Sequence, residues 1–206
     1  GEVPVVIEGE DATVKNSKQM TGGIVGMSFG GTITNCWFDG TIYGVKATGG
    51  ILGGTYNSTA TLSHCMFTGT IIDGFNSAKA LIGGLCGYAQ NSGANTASVT
   101  IWDSLSTGTL ESSSTSQIGA MIGGATKAVT IGNVYAVTDT GFGSKNYGWT
   151  GVTPVIEAGS VVASGKLESL FGSGAEKLDY NNYWTVREGK IPVLTSFVQW
   201  AKSLGK

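Results

Sequence analysis

Residues 21–26, Thr-Gly-Gly-Ile-Val-Gly, begin a stretch in which a glycine motif is followed by a second motif, Thr-Ile-Thr-Asn-Cys-Trp-Phe-Asp-Gly at residues 32–40. Each motif occurs four times in the chain, the last copy of each being degenerate. The later copies lie at residues 48–53, 82–87 and 118–123 for the first motif, and at 61–69, 100–108 and 130–138 for the second. Two linked motifs in four copies indicate a repeat protein.

The spacing of the repeats sets the length of one structural unit. The first glycines of the four copies are separated by 27, 34 and 36 residues. We take the shortest interval as the bare unit, so the longer ones must contain insertions. Residues 88–97 and 111–117 are rich in Ser, Thr, Asn and Gly, and we predict loops there.

Each repeat contains short β-type stretches and glycines at regular places, and no helical apolar period is visible. A coil of such strands buries its inner face only when further coils stack on it, about 4.8 Å apart. The chain also has 34 Gly, 3 Pro and 13% charged residues, which is typical of a β-rich protein with few flexible linkers. The sequence therefore predicts an all-β fold, a right-handed parallel β-helix (β-solenoid) of four to five coils with a small C-terminal cap.

Aligned repeats place residues of similar size in columns. Four columns are predicted to point inward: Ile33, Leu62, Ile101 and Ile131; Cys36, Cys65, Ser104 and Val134; Phe38, Phe67, Ser106 and Ala136; Ile42, Ile71 and Leu110. A break in alternation after the first column predicts a corner with stacked polar residues, namely Asn35, His64, Asp103 and Asn133. His64 is therefore interpreted as a corner residue rather than a catalytic base.

The column between the inward residues 36 and 38 should point outward. It contains Trp37, Met66, Leu105 and Tyr135, which would form an apolar and aromatic stripe along one side of the coils. We predict this stripe as the ligand-binding surface, because exposed aromatic side chains stack on sugar rings or receive partners. The alternative is that the C-terminal segment or the 88–97 loop covers it.

Several classes of function are disfavoured. The net charge is −2 and Lys and Arg are not clustered, which argues against a nucleic-acid partner. No apolar run is long enough for a transmembrane segment. Three cysteines and one histidine make neither a zinc set nor a disulfide framework, and no calcium loop is present. We predict no metal and no cofactor, and we expect Cys36 and Cys65 to be free thiols.

Catalytic residues are not predicted either. Glycoside hydrolysis requires two carboxyl groups within about 10 Å of each other. The aspartates are scattered over different columns of the repeat: Asp39, Asp73, Asp103 and Asp139. We therefore do not expect an enzyme.

The two motifs together resemble the GLUG repeat, which is named for a Gly-Leu-X-Gly core and occurs in bacterial surface and adhesin-like proteins. The resemblance covers residues 20–142 and implies a β-solenoid on the cell surface, without catalytic residues. We predict a partial coil or cap at residues 1–20, GLUG-like repeats at 21–142 and a capping segment at 143–206. Within that segment we predict a short helix at 166–171, a strand pair at 183–194 and an amphipathic helix from Ser196 with Phe197, Trp200 and Leu204 facing inward.

These expectations lead to a non-catalytic, extracellular adhesion or recognition module of a bacterial cell surface. Its expected partner is a host or cell-surface glycan or protein, and the chain is expected to belong to a longer multidomain protein. One alternative is a structural spacer or stalk of a larger surface protein. The other is a polysaccharide-active β-helix enzyme.

Overall fold

The computed structural model describes residues 5–7, 13–15, 20–73, 80–90, 99–112, 118–126, 129–132, 134–137, 155–156, 159–162, 183–187 and 190–205. The chain winds into a parallel β-helix in which each full coil contributes one strand to each of five sheets, named here faces one to five. Strands are numbered in chain order.

The strands of each face follow one another along the axis. Face one contains β3 (Met20–Gly22), β8 (Ala47–Gly49), β13 (Leu81–Gly83) and β18 (Ile118–Gly119). Face two contains β4 (Val25–Ser28), β9 (Leu52–Tyr56), β14 (Cys86–Gln90) and β19 (Ile122–Ala125). Face three contains β5 (Gly31–Thr34), β10 (Ala60–Ser63), β15 (Val99–Trp102), β20 (Thr130–Gly132) and β22 (Val155–Ile156).

The last two faces start one partial coil earlier. Face four contains β1 (Val5–Ile7), β6 (Cys36–Phe38), β11 (Met66–Phe67), β16 (Leu105–Ser106), β21 (Val134–Val137) and β23 (Gly159–Val162). Face five contains β2 (Thr13–Lys15), β7 (Thr41–Gly44), β12 (Thr70–Asp73) and β17 (Thr109–Glu111). The predicted parallel β-helix is confirmed, with three five-stranded coils, one coil described by four strands, and strands of partial coils at both ends.

The insertions are placed differently from the prediction. Seven residues, 74–80, join β12 to β13, against two between β7 and β8, so most of the extra length of the second interval lies at this site, which was not predicted. The predicted loop at 88–97 is wrong at its start, because Tyr88 to Gln90 belong to β14. Glu111 likewise belongs to β17, and residues 91–97 and 113–117 lie outside the described residues.

The four inward columns are confirmed by strand register and burial. Leu62 pairs with Ile33 and Ile101, and Ile101 pairs with Ile131. All inward-column residues from the second coil onward are buried in one continuous core, with the two serines as its polar members. Ile33, in the first coil, is only partly buried.

The predicted corner is also confirmed. Asn35, His64 and Asp103 have positive φ angles of 56°, 52° and 43°, which turn the chain from face three to face four. Their backbone amides donate along the axis to the next coil, for example from Asn35 to the Ser63 carbonyl at 3.1 Å. Side chains that hydrogen-bond locally tolerate this left-handed conformation best. Asn133 lies outside the described residues.

The C-terminal unit comprises the antiparallel strands β24 (Trp184–Arg187) and β25 (Lys190–Leu194) and the helix α1 (Thr195–Ser203). The predicted strand pair and final helix are therefore confirmed. Phe197 is buried as expected, but the prediction for Leu204 is wrong, because that side chain is 53% exposed just beyond the helix. The helix predicted at residues 166–171 lies outside the described residues.

Candidate functional site

The predicted stripe forms a continuous column on face four. Trp37 pairs with Met66, Met66 with Leu105, and Leu105 with Tyr135. The expectation that the stripe is open to solvent is wrong at two positions, since Met66 is 3% exposed and Leu105 is fully buried. Trp37 is half-buried, and the side chain of Tyr135 lies outside the described part.

The C-terminal unit lies over this face, which is the alternative raised from the sequence. Phe197 meets Trp37 edge to face, with ring centroids 5.3 Å apart. The Ser196 hydroxyl donates a hydrogen bond of 2.7 Å to Oδ1 of Asn35. Met66, which pairs directly with Trp37, is buried as well.

The polar corner beside the stripe is a second contact of the C-terminal unit. The imidazole of His64 lies flat against the ring of Tyr183, with centroids 3.5 Å apart. Nε2 of His64 is 3.7 Å from Oδ2 of Asp103, so the two form an ion pair when the imidazole is protonated. The tyrosine covers one ring face of His64, and the cluster joins the C-terminal unit to the coils.

Two cysteines of neighbouring coils lie beside each other under face four. Cys36 and Cys65 are buried free thiols, as predicted, and Cys86 is a third one. The hydrogen bond with Cys36, together with burial, raises the pKa of Cys65 well above its usual value. The same hydrogen bond lowers the pKa of Cys36, against the opposing effect of burial.

The described aspartates occupy different corners of the coil. Asp39 lies between faces four and five, Asp103 lies between faces three and four, and Asp73 ends a strand of face five. Asp73 is buried and accepts a hydrogen bond of 2.8 Å from the hydroxyl of Ser112. Across the described residues, no three His, Cys, Asp or Glu side chains are grouped closely enough to hold a metal ion.

Face two carries a partly exposed outer surface that the sequence interpretation missed. We name it the face-two ladder. Its first column is Met27, Gly54, Tyr88 and Gly124, and its second column is Phe29, Tyr56, Gln90 and Thr126. Met27, Phe29 and Tyr56 are exposed by 37%, 74% and 41%, whereas the intervening Ser28 and Thr55 are buried.

The most exposed ring of the ladder is held by a braced turn. Phe29 lies between Ser28 and two glycines with positive φ angles, Gly30 and Gly31. The Ser28 hydroxyl donates to the Gly30 carbonyl at 3.0 Å and accepts from the Gly30 amide at 3.1 Å. The ring of Phe29 meets Tyr56 of the next coil at an angle of 69°, with centroids 6.4 Å apart.

The repeat itself contains the signal for this surface. Phe29, Tyr56, Gln90 and Thr126 all lie seven residues after the first glycine of their own copy. Aligning the four repeats on that glycine places the second-column residues of the ladder at one equivalent position. Aligning them on the second motif does the same for the residues of the stripe. The columns of the second motif alone do not include these positions, so they did not predict the ladder.

Fold and surface thus define a parallel β-helix with one covered aromatic column and one open aromatic ladder. Comparisons with protein-family models, with curated proteins and with solved structures found no match to this chain. Among the described residues, no helix has the length and apolar character needed to cross a membrane.

Proposed function

We propose that this chain is a non-catalytic recognition module, secreted to the bacterial cell surface, that binds its ligand through the face-two ladder. The observation that carries the proposal is the 74% exposure of Phe29 in a turn held by side-chain hydrogen bonds. A large apolar side chain held out into water contributes little through burial. Exposed apolar clusters of this kind mark binding surfaces.

Support also comes from the scaffold. The ladder lies on strands whose inward side chains belong to the continuous core, such as Leu52 and Cys86, so its side chains are fixed before a ligand arrives. Preorganised side chains lose less conformational freedom on binding. The similarity of the repeats to GLUG motifs of surface proteins is in keeping with an adhesion role.

The proposal moves the binding surface away from the predicted stripe. With Phe197 on Trp37 and with Met66 buried, a ligand would have to displace the C-terminal unit to reach face four. The ladder requires no such displacement. A spacer without a ligand would not need Phe29 and Tyr56 on its surface.

The test is a binding screen of the immobilised chain against a glycan array and a panel of extracellular-matrix proteins. We expect saturable binding that is lost in the Phe29→Ala/Tyr56→Ala double variant and retained in Trp37→Ala. Binding that is lost only in Trp37→Ala would show that the ligand binds at face four. Absence of binding to every probe would favour the structural-spacer function.

The non-catalytic part of the proposal has its own test. Incubation with the polysaccharides of the screen should release no reducing sugar above a heat-denatured sample. Turnover that disappears in a variant of a described carboxylate, such as Asp39→Asn, would make the chain a polysaccharide-active enzyme instead.

A further inference from the structure

The side chains of the face-two ladder combine aromatic rings with uncharged hydrogen-bonding groups. Its eight positions include three aromatic residues, one amide and one aliphatic hydroxyl, and none of them is Asp, Glu, Lys, Arg or His. Tyr88 is half-buried against the cluster of Met20, Ala47 and Leu81. Burial raises the pKa of Tyr88, so its phenol remains a neutral donor well above physiological pH.

The shape of the ladder is a narrow strip parallel to the solenoid axis. Its two columns are two residues apart on each strand, about 7 Å, and successive coils are about 4.8 Å apart. Four coils therefore give a strip about 14 Å long. A standard protein partner covers roughly 800 Å² of each surface, which is far more than this strip provides.

We infer that the ligand of the ladder is an uncharged, extended glycan whose chain runs along the solenoid axis, with sugar rings on Phe29, Tyr56 and Tyr88 and hydroxyl groups at Gln90. This inference rests on the proposed function and names the ligand class of the same site. Sugar rings present flat C–H faces to aromatic side chains and hydroxyl groups to amides, which is the mixture that the ladder offers.

The arrangement along the axis suits a linear polymer. Phe29 and Tyr56 occupy the second column in the first two coils, and Gln90 continues that column in the third coil. In the first column Met27 and Tyr88 lie two coils apart, about 10 Å, with Gly54 between them. A Cβ atom at Gly54 would lie 2.6 Å from Sδ of Met20 and 2.5 Å from the Tyr88 carbonyl oxygen, so the side chain of Met20 packs over this glycine.

Other ligand classes fit the ladder less well. An anionic polymer would gain no ion pair there, because no ladder position is cationic. An extended peptide binds most readily by adding to a sheet edge, where its backbone finds partners. The ladder is the outer surface of a sheet, where neighbouring strands already pair β4 with β9 and β9 with β14.

The experiment measures affinity for soluble polysaccharides by isothermal titration calorimetry, with the whole chain. Neutral probes are mixed-linkage β-glucan, xylan and mannan, together with their oligosaccharides, and anionic probes are polygalacturonate and heparin. Tyr88→Ala and Gln90→Ala test the third coil of the ladder, and Tyr43→Ala removes a half-buried tyrosine of face five as a matched control.

We expect at least one neutral polymer to bind, with an affinity that rises with chain length up to about four sugar rings and does not change between low and high salt. Tyr88→Ala should weaken the affinity for that polymer about tenfold, which corresponds to the loss of one aromatic contact. Tyr43→Ala should leave the affinity unchanged. Circular dichroism would verify that each variant is folded.

Three results would overturn the inference while leaving the recognition function intact. These are binding only to anionic polymers with strong salt dependence, binding only to proteins in the earlier screen, and neutral-glycan binding that survives Tyr88→Ala and Gln90→Ala. Absence of binding in both experiments would overturn the recognition function as well.

Discussion

One position in each coil is matched in size to the side chain that lies across the core from it. A Cβ atom on Gly23 would overlap the ring of Phe38, and one on Gly50 would overlap the ring of Phe67. The equivalent residues of the fourth coil are Ala120 and Ala136, both within the core. In the third coil Gly84 is retained opposite the smaller Ser106, and a Cβ atom there would still overlap the Ser106 hydroxyl. An alanine therefore occurs at this position only in the fourth coil, where the facing residue is Ala136.

Adding one methyl group at this position should unfold the second coil more readily. Gly50→Ala places a methyl against Phe67 and against the Gly84 carbonyl of the next coil, and we expect a loss of at least about 2 kcal/mol in the free energy of unfolding. Urea denaturation measures it. Ala120→Gly is the matched control and should cost no more than about 1 kcal/mol, and equal effects of the two substitutions would refute the size match.

The corner makes a prediction that depends on backbone conformation alone. Asn35→Gly and Asn35→Val both remove the hydrogen bond to Ser196, so their difference isolates the cost of the positive φ angle. We expect Asn35→Val to be less stable than Asn35→Gly by about 1–2 kcal/mol, because branching at Cβ disfavours the left-handed region. Thermal unfolding of the two variants would show this, and equal stability would mean that the corner relaxes.

Cys86 should make the fold sensitive to alkali. Burial raises its pKa from 9.0 to about 12, so the unfolded chain loses this proton at a lower pH than the folded chain does. Stability is unaffected by Cys86 below pH 9 and then falls by roughly 1 kcal/mol per pH unit as the pH approaches 12. Urea titrations between pH 8 and 11 should show a shallower decline in Cys86→Ala, and parallel curves would contradict the prediction.

At the scale of elements, the C-terminal strands and helix were predictable, whereas their position was left between two alternatives. Alternation and apolar spacing predicted β24, β25 and α1. We predicted these elements in a capping segment, with coverage of the stripe by the C-terminal segment as the alternative, and the contacts of Tyr183 and Phe197 place them against the side of the coils. Local periodicity identifies an apolar face of a helix and says nothing about which of several apolar surfaces it meets.

The helix α1 gives a paired test of this placement. Phe197→Ala should lower the free energy of unfolding by about 3 kcal/mol and increase binding of the dye anilinonaphthalene sulfonate, because the apolar residues of face four become accessible. Leu204→Ala, at an exposed position just after the helix, should change stability by less than about 0.5 kcal/mol. Similar effects of both substitutions would show that α1 does not cover the stripe.

The same distinction explains what the sequence revealed of the two aromatic surfaces. The strand register could be predicted from the sequence, because aligned repeats place Trp37 and Met66 at equivalent positions of neighbouring coils. The solvent exposure of these side chains could not be predicted, because it depends on contacts with residues more than a hundred positions away, such as Phe197. The ladder could have been found by aligning the repeats on the glycines, but only the structure shows that Phe29 is open and Met66 is covered.

Across the whole molecule, the core is less complete in the first coil than in the coils that follow it. Leu62 and Ile101 are fully buried, whereas the first-coil residues Ile24, Val25 and Ile33 are only partly buried against the same core. Within the described chain, β4 and β5 are the first strands of faces two and three, and each pairs with one neighbour. Coils of a solenoid stabilise one another through such nearest-neighbour contacts, so stability should rise from the first coil inward.

Native-state hydrogen exchange should reveal this gradient. We expect the amides of β9, β10, β14 and β15, which pair on both sides, to exchange at least about tenfold more slowly than those of β4 and β5. The same gradient predicts that Leu62→Ala costs more stability than Ile33→Ala, although the two residues pair in one column.

The gradient affects binding as well, because Phe29 follows β4 and Tyr56 ends β9. A ligand that joins these two rings would stabilise the weaker coil through the stronger one, so it should slow exchange in β4 more than in β14. Uniform exchange in all coils, with or without ligand, would show that the solenoid unfolds as a single unit and that its first coil is as stable as its centre.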